Sequence, residues 1–375
     1  MANHGENSYN QELVEKSLWV SLGNVRGIGS QTYCQLLKTF GSPGNIYSAN
    51  FKQLKEVVSD SIASEILQGT DHQALAETRH WLSQPNNHLI TLADPEYPQS
   101  LLEISDPPPF LYAKGNLALL NQPGIAIVGS RNASVQGEKN AEAFAHDLCA
   151  YGLCIVSGLA LGIDGAAHRG ALKANGATIA VVGTGLDIVY PAKHRELAHQ
   201  IAEHGLIISE FNLGTPSKPQ NFPKRNRIIS GLSLGCLVVE ANLQSGSQIT
   251  ARLAAEQGRE IFAIPGSIHS PMSKGCHQLI KQGAKLVDCL QDIVEELNLS
   301  TKPASNSKLN NRDEASDQST PNDSILNIMG YEPITLENLV ALSSLTVSDV
   351  SSMLMILELE GKVASLTGGQ FQKIV

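Results

Sequence analysis

Gly124-Ile-Ala-Ile-Val-Gly-Ser-Arg131 is a short apolar run that ends in glycine, and residues 135–150 follow it with apolar residues at helical spacing. This alternation repeats along the chain. It predicts strands at 124–129, 153–157, 178–182, 206–209, 237–240 and 260–264. It predicts helices at 135–150, 164–174, 193–203, 225–232, 247–257 and 273–282. Short apolar strands separated by helices are typical of a parallel sheet covered on both faces, so an α/β fold is expected.

Two segments precede this alternation. Residues 11–85 indicate a helical domain, in which Leu22-Gly-Asn-Val-Arg-Gly-Ile-Gly29 resembles the turn of a helix-hairpin-helix, or SAM-like, domain. Such a turn either presents backbone N–H groups to a phosphate or only joins two packed helices, and the sequence leaves both open. The α/β domain is expected over 86–297. Its proline-rich lead-in, residues 92–112, is expected to be an irregular connector that packs across the domain.

The C-terminal part divides into a linker and a small domain. Residues 298–323 are rich in Ser, Asn, Asp and Thr with almost no large apolar residue, which predicts a flexible linker. Residues 324–375 place two or three helices before an expected Gly-Gly hairpin at 362–374. This order predicts a winged-helix-like domain.

Composition and charge limit the kinds of protein that this sequence can encode. The 375 residues carry a net charge of −9, with 42% hydrophobic residues, as in a globular protein with an ample core. Between residues 120 and 290, 15 Lys and Arg face 12 Asp and Glu, so the α/β region is the cationic part of an acidic chain. No apolar run approaches about 18 residues and no leader is visible, so a cytoplasmic protein without a membrane span is expected. The six cysteines form no Cys-x-x-Cys pair, which favours buried free thiols over a metal site.

A basic stretch gives the strongest local signal for a ligand. Asn221-Phe-Pro-Lys-Arg-Asn-Arg-Ile-Ile-Ser-Gly231 brings Lys224, Arg225 and Arg227 together beside Phe222, with no acidic residue. Cations neutralise phosphates and an aromatic face can stack on a base, so the stretch suits a polyanion such as single-stranded nucleic acid. A solvated charged turn is the alternative.

Four Gly- and Ser-rich loops follow predicted strands and precede predicted helices. Their glycines let the backbone approach an anion, and the helix N-termini add partial positive charge. Because the carboxyl ends of parallel strands share one edge of the sheet, the loops are expected to form a phosphate-binding rim. The alternative is that the glycines serve only tight turns. The loops are Gly129-Ser130-Arg131, Ser157-Gly158 to Gly165, Gly183-Thr184-Gly185, and Gln244 to Thr250 with Ser245, Gly246 and Ser247.

Nucleotide fingerprints and catalytic sets are incomplete. No Gly-x-x-x-x-Gly-Lys-Ser/Thr is present, and Gly183-Thr-Gly185 lacks the third glycine of the dinucleotide motif, so an ATPase and a nicotinamide dehydrogenase are disfavoured. No cofactor, metal or catalytic residue is expected. Asp164 and His168 share a helical face, where a packed, hydrogen-bonded pair is expected. Glu240 is either a catalytic carboxylate or a loop anchor, and Arg131 is either a phosphate ligand or half of an ion pair.

Together these motifs resemble the DNA-processing protein A family, also called DprA or Smf, of bacterial natural transformation. The resemblance is most specific over residues 92–290 and extends more weakly to the N-terminal helices and the C-terminal domain. The matching segments are Asp94–Pro98, Ala126–Arg131, Ile155–His168, Ala180–Pro191, Asn221–Gly231, Val239–Ala241, Ser245–Thr250, Pro265–Gly266 and Lys274–Ile280.

The resemblance implies an extended Rossmann-like domain in a homodimer. It also implies a protein that binds and protects incoming single-stranded DNA and helps to load the RecA recombinase, with no catalytic step. Carried over by motif position, the DNA pocket would be lined by Gly129, Ser130, Arg131, Ser157, Gly158, Phe222, Lys224, Arg225, Asn226 and Arg227. Secondary anion-binding candidates are Gly183, Gly185, Ser245, Gly246 and Ser247.

Two rival functions stay open. One is a sensor that binds a small nucleotide without turnover. The other is a nucleotide phosphoribohydrolase-like enzyme that uses Glu240 beside the Ser245–Thr250 loop, although this loop lacks the Pro-Gly-Gly-x-Gly-Thr form of those enzymes.

The C-terminal helix predicted at 347–360 limits the role of its domain. It contains Asp349, Glu358 and Glu360 and no Lys or Arg, whereas a helix that reads DNA needs cations and base-edge donors. We therefore expect this domain to bind DNA weakly and to serve protein contact or dimer regulation.

Overall fold

A computed structural model describes residues 2–70, 72–299, 325–326, 328–343 and 345–374. The described residues form two compact units: 2–132 with 141–299, and 133–140 with those from 325 onward. The linker expected at 298–323 lies outside the described residues except for its first two. The domain boundaries expected at 85 and 297 stay predictions.

The first unit alternates helices and strands along most of its length. Its strands are β1 (Asn87–Thr91), β2 (Phe110–Gly115), β3 (Gly124–Val128), β4 (Cys154–Ser157), β5 (Thr178–Val181), β6 (Leu206–Ser209), β7 (Gly235–Val238), β8 (Glu260–Ala263) and β9 (Lys285–Leu286). Six helices precede the sheet: α1 (Ala2–Asn24), α2 (Ser30–Phe40), α3 (Pro43–Ser48), α4 (Phe51–Leu54), α5 (Asp60–Leu67) and α6 (His72–Leu82). The others are α7 (Gln99–Leu102), α8 (Val135–Ala150, of which 135–140 belong to the second unit), α9 (Ile163–Lys173), α10 (Arg195–His204), α11 (Asn221–Gly231), α12 (Gly246–Glu256), α13 (Lys274–Lys281) and α14 (Leu290–Glu296).

One nine-stranded sheet organises this unit, in the order β1-β2-β6-β5-β4-β3-β7-β8-β9. Strands β3 to β9 run parallel, and β2 pairs antiparallel with β6 at one side. All residues of β3, β4, β5, β6 and β7 are buried, which explains their continuous apolar sequences. The expected extended Rossmann-like parallel sheet is confirmed.

The proline-rich lead-in departs from the expectation of an irregular connector. It ends in β2, which pairs with β1 from Asn87↔Lys114 to Thr91↔Phe110 and extends the sheet. Pro107, Pro108 and Pro109 stop just before β2, so its ladder keeps every backbone N–H donor. Antiparallel pairing with β6, a strand far along the chain, is the reason that local sequence did not reveal this strand.

The N-terminal helices cover the β1–β2 side of the sheet. Trp19 of α1 and Tyr33 of α2 stack with ring centroids 5.8 Å apart, and the Tyr33 hydroxyl donates to the Trp19 carbonyl at 2.8 Å. Phe110 and Tyr112 of β2 belong to the same buried cluster. The helices therefore share a core with the edge of the sheet.

The second unit contains β10 (Ile334–Thr335), α15 (Leu336–Ser343), α16 (Val347–Leu359), β11 (Val363–Leu366) and β12 (Gln370–Lys373). The strands form an antiparallel sheet in the order β10-β12-β11. Gly368 and Gly369 turn the hairpin with φ of 88° and 71°, values that residues with a side chain rarely adopt. Helices followed by this hairpin confirm the expected winged-helix-like domain.

Among the described helices, none is by itself long and apolar enough to cross a membrane; α15 and α16 meet that criterion only as a pair, bent by 112°.

Candidate functional site

A cleft of about 270 Å³ opens at the carboxyl ends of β3 and β7. The chain passes from β3 to β4 on one side and returns later to β7 on the other, so the strand order reverses here. In open α/β sheets this reversal point is where ligands bind. The lining residues include Gly129, Ser130, Arg131, Asp164, Phe222, Arg225, Asn226, Asn242, Ser245, Gly246 and Ser247.

The loop after β3 is fixed by its backbone. The Ser130 N–H donates to the Glu240 carbonyl at 2.8 Å, and the Ser130 carbonyl accepts from the Ile163 N–H at 3.2 Å. A Cβ on Gly129 would lie 2.5 Å from Ile163 Cγ1, so only glycine fits there. The exposed side chain of Arg131 thus extends from a backbone that these contacts hold in place.

A buried carboxylate shapes the loop after β4. Asp164 Oδ2 accepts the N–H groups of Gly158 at 3.2 Å and Ala160 at 3.4 Å. Leu159, between them, has a φ of 58°, and its carbonyl lies 3.0 Å from His194 Nδ1. Burial raises the pKa of the Asp164 carboxyl, while the charge of Arg225 and the two N–H groups oppose that rise.

Arg225 is the central cation of the cleft. It is only 4% exposed, and its Nη1 donates to the Val181 carbonyl at 2.9 Å. The guanidinium lies against the backbone of Gly158, where a Cβ would come within 1.6 Å of Nη1. Burial lowers the pKa of Arg225 to about 10, with the nearby Asp164 acting in the opposite direction. Arg225 therefore remains charged at neutral pH.

Aromatic rings adjoin these cations. The guanidinium carbons of Arg131 and Arg225 lie 5.0 and 5.9 Å from the centroid of Phe222, within cation–π range. The ring of Tyr190, tilted by 44°, lies 5.9 Å from the Phe222 ring and is 42% exposed. Positive charge and aromatic surface are therefore adjacent in the cleft, and the binding of an unstacked base with its phosphate requires both.

The N-terminus of α12 closes the other side of the cleft. Ser245 and Ser247 share a hydrogen bond of 2.8 Å between their hydroxyls, and Gly246 lies between them. The orphan N–H groups of a helix start carry partial positive charge, which adds to that of the arginines.

Comparison with known proteins identifies the family of the chain. Residues 88–298, more than half of the chain, match the family model described as DNA recombination-mediator protein A. The chain belongs to the DNA recombination-mediator protein A family. Residues 311–369 also match a DprA winged helix domain.

Relatives of this family cover most of the chain. Protein Smf of Escherichia coli is 44% identical over 292 residues, which are 77% of this chain and 78% of Smf. The solved structure of DNA processing protein A from Streptococcus pneumoniae superposes with a TM-score of 0.68 at 38% identity, over 75% of this chain and 97% of that one. The Helicobacter pylori protein, whose structure concerns its single-stranded DNA binding mode, gives a TM-score of 0.51 at 32% identity, over 56% and 96%.

In this member of the DNA recombination-mediator protein A family, the basic stretch is dispersed around a helix. α11 begins at Asn221, four residues before the predicted start, so consecutive side chains are turned by about 100°. Arg225 and Asn226 line the cleft, and Asn226 Nδ2 donates to the Gly246 carbonyl at 3.3 Å. Lys224 is exposed and does not line the cleft.

Arg227 has a different environment from Arg225. It is 9% exposed, its Nη2 pairs with the largely buried carboxylate of Glu210, and its Nε lies 3.3 Å from Asp106 Oδ2. Burial raises the pKa of Glu210, and Arg227 opposes that rise. The structure does not bring Arg227 to the cleft, so its contribution is to packing beneath the site.

Of the other predicted site residues, some lie at the cleft or beside it and others lie away from it. Ser157 is fully buried and its hydroxyl donates to the Ile127 carbonyl at 2.6 Å, so it faces the sheet rather than the cleft. Gly158 and Gly183 line a recess of about 50 Å³ beside Phe222 and Tyr190. Gly185 lies apart from both cavities, where its N–H donates to the Thr215 carbonyl at 3.0 Å.

The expected hydrogen-bonded pair of Asp164 and His168 is wrong. His168 Nδ1 lies 2.7 Å from Thr178 Oγ1, and its buried Nε2 has no hydrogen-bond partner among the residues that the structure describes. Thr178 Oγ1 itself donates to the Ile155 carbonyl, so we assign the ring proton to Nδ1. Burial, chiefly, lowers the pKa of His168 to about 3.

Sequence reasoning missed two residues at the site. Asn242, after β7, lines the cleft, and Tyr190, before a cis proline at 191, lines the recess. An aromatic-proline step shortly after a Gly-x-Gly loop would have indicated Tyr190.

In the described part of the chain, one cluster of side chains has a geometry that could hold a metal ion. The ligand atoms of Asp288, Cys289 and Asp292 lie within 4.8 Å of one another, largely exposed. Asp292 accepts the N–H groups of Asp288 and Cys289 at 3.1 and 3.3 Å. Capping of α14 therefore explains this cluster without an ion.

Proposed function

We propose that this chain binds single-stranded DNA in the cleft at the ends of β3 and β7, without catalysing a reaction. We further propose that it protects incoming DNA and assists the loading of RecA recombinase in natural transformation and recombination. The observation that carries the proposal is the buried Arg225, held with Arg131 beside the ring of Phe222.

The chemistry of the cleft favours a phosphate with a base attached. Donors for phosphate oxygens come from two guanidinium groups, from the N–H groups at the start of α12 and from the hydroxyls of Ser245 and Ser247. An aromatic face can stack only on a base that is free of its own neighbours, as in a single strand. The structure of DNA processing protein A from Helicobacter pylori, which concerns its single-stranded DNA binding mode, supports the same ligand.

Chemical catalysis has less support. Glu240, the carboxylate of the enzyme alternative, engages Ser130 through its backbone carbonyl, and its side chain is not among those that line the cleft. Release of free base from a nucleoside monophosphate, lost in Glu240→Gln, would restore the enzyme hypothesis.

The test is fluorescence anisotropy of labelled oligo-dT of increasing length across a salt series. We expect affinity to rise over several nucleotides and to fall steeply with salt. Arg131→Glu places an acid in the cleft from an exposed position, so it should abolish binding without unfolding the chain. Lys52→Glu, an exposed reversal on α4 among the N-terminal helices, is the charge-matched control.

Two results would contradict the proposal. Binding that is indifferent to Arg131→Glu would place the DNA elsewhere. Saturable binding of a mononucleotide with no gain in longer strands would favour the nucleotide sensor.

The recombinase and dimer proposals need separate measurements. RecA filament formation on DNA coated with single-strand binding protein should accelerate when the chain is added, and Arg131→Glu should remove that effect. Sedimentation that shows only a monomer at micromolar concentration would contradict the homodimer.

A further inference from the structure

The helix α16 has an apolar face that the described residues of its domain leave exposed. Its inward side chains, Val350, Leu354 and Leu357, are at most 1% exposed and join the core of the second unit. On the outside, Met355 is 67% exposed and Leu359 is 84% exposed. These two are four residues apart and therefore neighbours on the helix surface.

The apolar face is wider than this pair. Ile356 is 45% exposed, and the exposed Ser348 and Ser352 lie between Met355 and Ile356 around the helix axis. Small serines beside long apolar side chains leave room for another element to approach. We call Ser348, Ser352, Met355, Ile356 and Leu359 the outer face of α16.

The surroundings of the outer face are acidic. From residue 325 to 374 the sequence has five Asp and Glu and only two Lys. Asp349 and Glu360 are exposed next to the outer face. One lysine, Lys362, pairs with Glu360 at 2.8 Å, and the other, Lys373, lies 5.0 Å from the centroid of the Tyr331 ring.

We propose that the outer face of α16 docks a protein partner through a short amphipathic helix with basic flanks. An apolar stripe that accepts residues at i, i+3 or i+4, and i+7 is a recurring mode of helix recognition. The acidic surroundings select Lys and Arg beside those anchors. The same charges oppose a nucleic acid, an anionic membrane and a second copy of this face.

The proposal is independent of DNA binding in the cleft and can be tested separately. A display library of random 16-residue peptides is selected on the full chain, and enriched peptides are measured by anisotropy. We expect apolar residues at helical spacing with Lys or Arg beside them. Met355→Glu/Leu359→Glu should weaken these peptides at least tenfold, and Leu67→Glu, at another partly exposed apolar position, should not.

Charge is tested by a second variant that keeps the apolar face. Asp349→Asn/Glu360→Gln should reduce the preference for basic peptides and the salt dependence of their binding.

Other outcomes would overturn the proposal. Enriched peptides that are acidic, or that bind Met355→Glu/Leu359→Glu equally well, would refute it. A change of oligomeric state in that variant would assign the face to a second copy. Flotation with vesicles of phosphatidylcholine and phosphatidylglycerol, lost in the variant, would assign it to a membrane.

Discussion

Replacement of Gly158 by alanine tests whether the position of Arg225 determines binding. A Cβ at this position would lie 1.6 Å from Arg225 Nη1 and 2.5 Å from its Cζ. The φ of Gly158 lies outside the left-handed region, so alanine adds no backbone strain. The three atoms nearest to the added methyl group all belong to the Arg225 guanidinium, so the strongest clash is with that group.

The magnitude follows from these distances. To reach an ordinary contact of 3.4 Å from 1.6 Å, the guanidinium must move by about 1.8 Å. Its hydrogen bond to the Val181 carbonyl, now 2.9 Å, is then lost. The buried carbonyl without a partner should lower the free energy of unfolding by about 1–3 kcal/mol. Loss of a charge-assisted bond to phosphate, worth about 1.5–3 kcal/mol, should weaken DNA binding roughly 10- to 100-fold.

The assay is anisotropy of labelled oligo-dT, with urea denaturation of the same samples. Gly44→Ala on α3 is the matched control, because its Cβ would meet nothing closer than 3.8 Å. A folded Gly158→Ala protein that binds within twofold of the natural chain would refute the assigned role of Arg225.

Three further outcomes follow from the burial of other side chains. Arg227→Ala removes the partner of the largely buried Glu210 carboxylate, so urea denaturation should show a free energy of unfolding lower by about 3–5 kcal/mol. Lys224→Ala should leave the free energy of unfolding within about 0.5 kcal/mol of the original value. Equal losses in the two variants would contradict the different roles of these residues. His168 has its pKa lowered to about 3 in the folded state, so the unfolded chain binds more protons below the usual value of about 6.5. The free energy of unfolding should therefore fall by up to about 1.4 kcal/mol for each pH unit as the pH is lowered from about 6.5 to 3. A His168→Gln variant with the same pH dependence of stability would show that the histidine is not responsible. Ser157→Ala should lower stability by about 1 kcal/mol and leave oligo-dT affinity unchanged; weaker DNA binding at unchanged stability would return Ser157 to the cleft.

Much of the sheet could be predicted because central parallel strands are buried on both faces. Their sequences, such as Ile125–Val128, are continuously apolar and bounded by glycine. β9 was not predicted because it has two residues, both exposed. β1 and β2 depend on antiparallel partners distant in sequence, so no local period reveals them.

The edge of the sheet that holds the site was predictable, but its individual side chains were not. The loops after parallel strands converge by topology alone. Which cation enters the cleft depends on how α11 is rotated against the sheet, and the sequence of one short helix does not determine that rotation. The start of α11 at Asn221 also makes Lys224 helical. The contact of Arg225 with Gly158 joins distant segments, so spacing along the chain does not indicate it.

The packing of Arg225 against Gly158 has a thermodynamic consequence for any ligand. A free arginine has many rotamers, and ordering one on binding opposes association by about 0.5–1.5 kcal/mol. Here the side chain is already confined by the Gly158 backbone, the Val181 carbonyl and the Phe222 ring. Its conformational entropy is lost when the chain folds, so the site is preorganised. Arg131, which is exposed, must still be ordered by the ligand. The two arginines would therefore contribute differently to binding: Arg225 would be in position before a ligand arrives, whereas the exposed side chain of Arg131 would lose conformational entropy on contact with it.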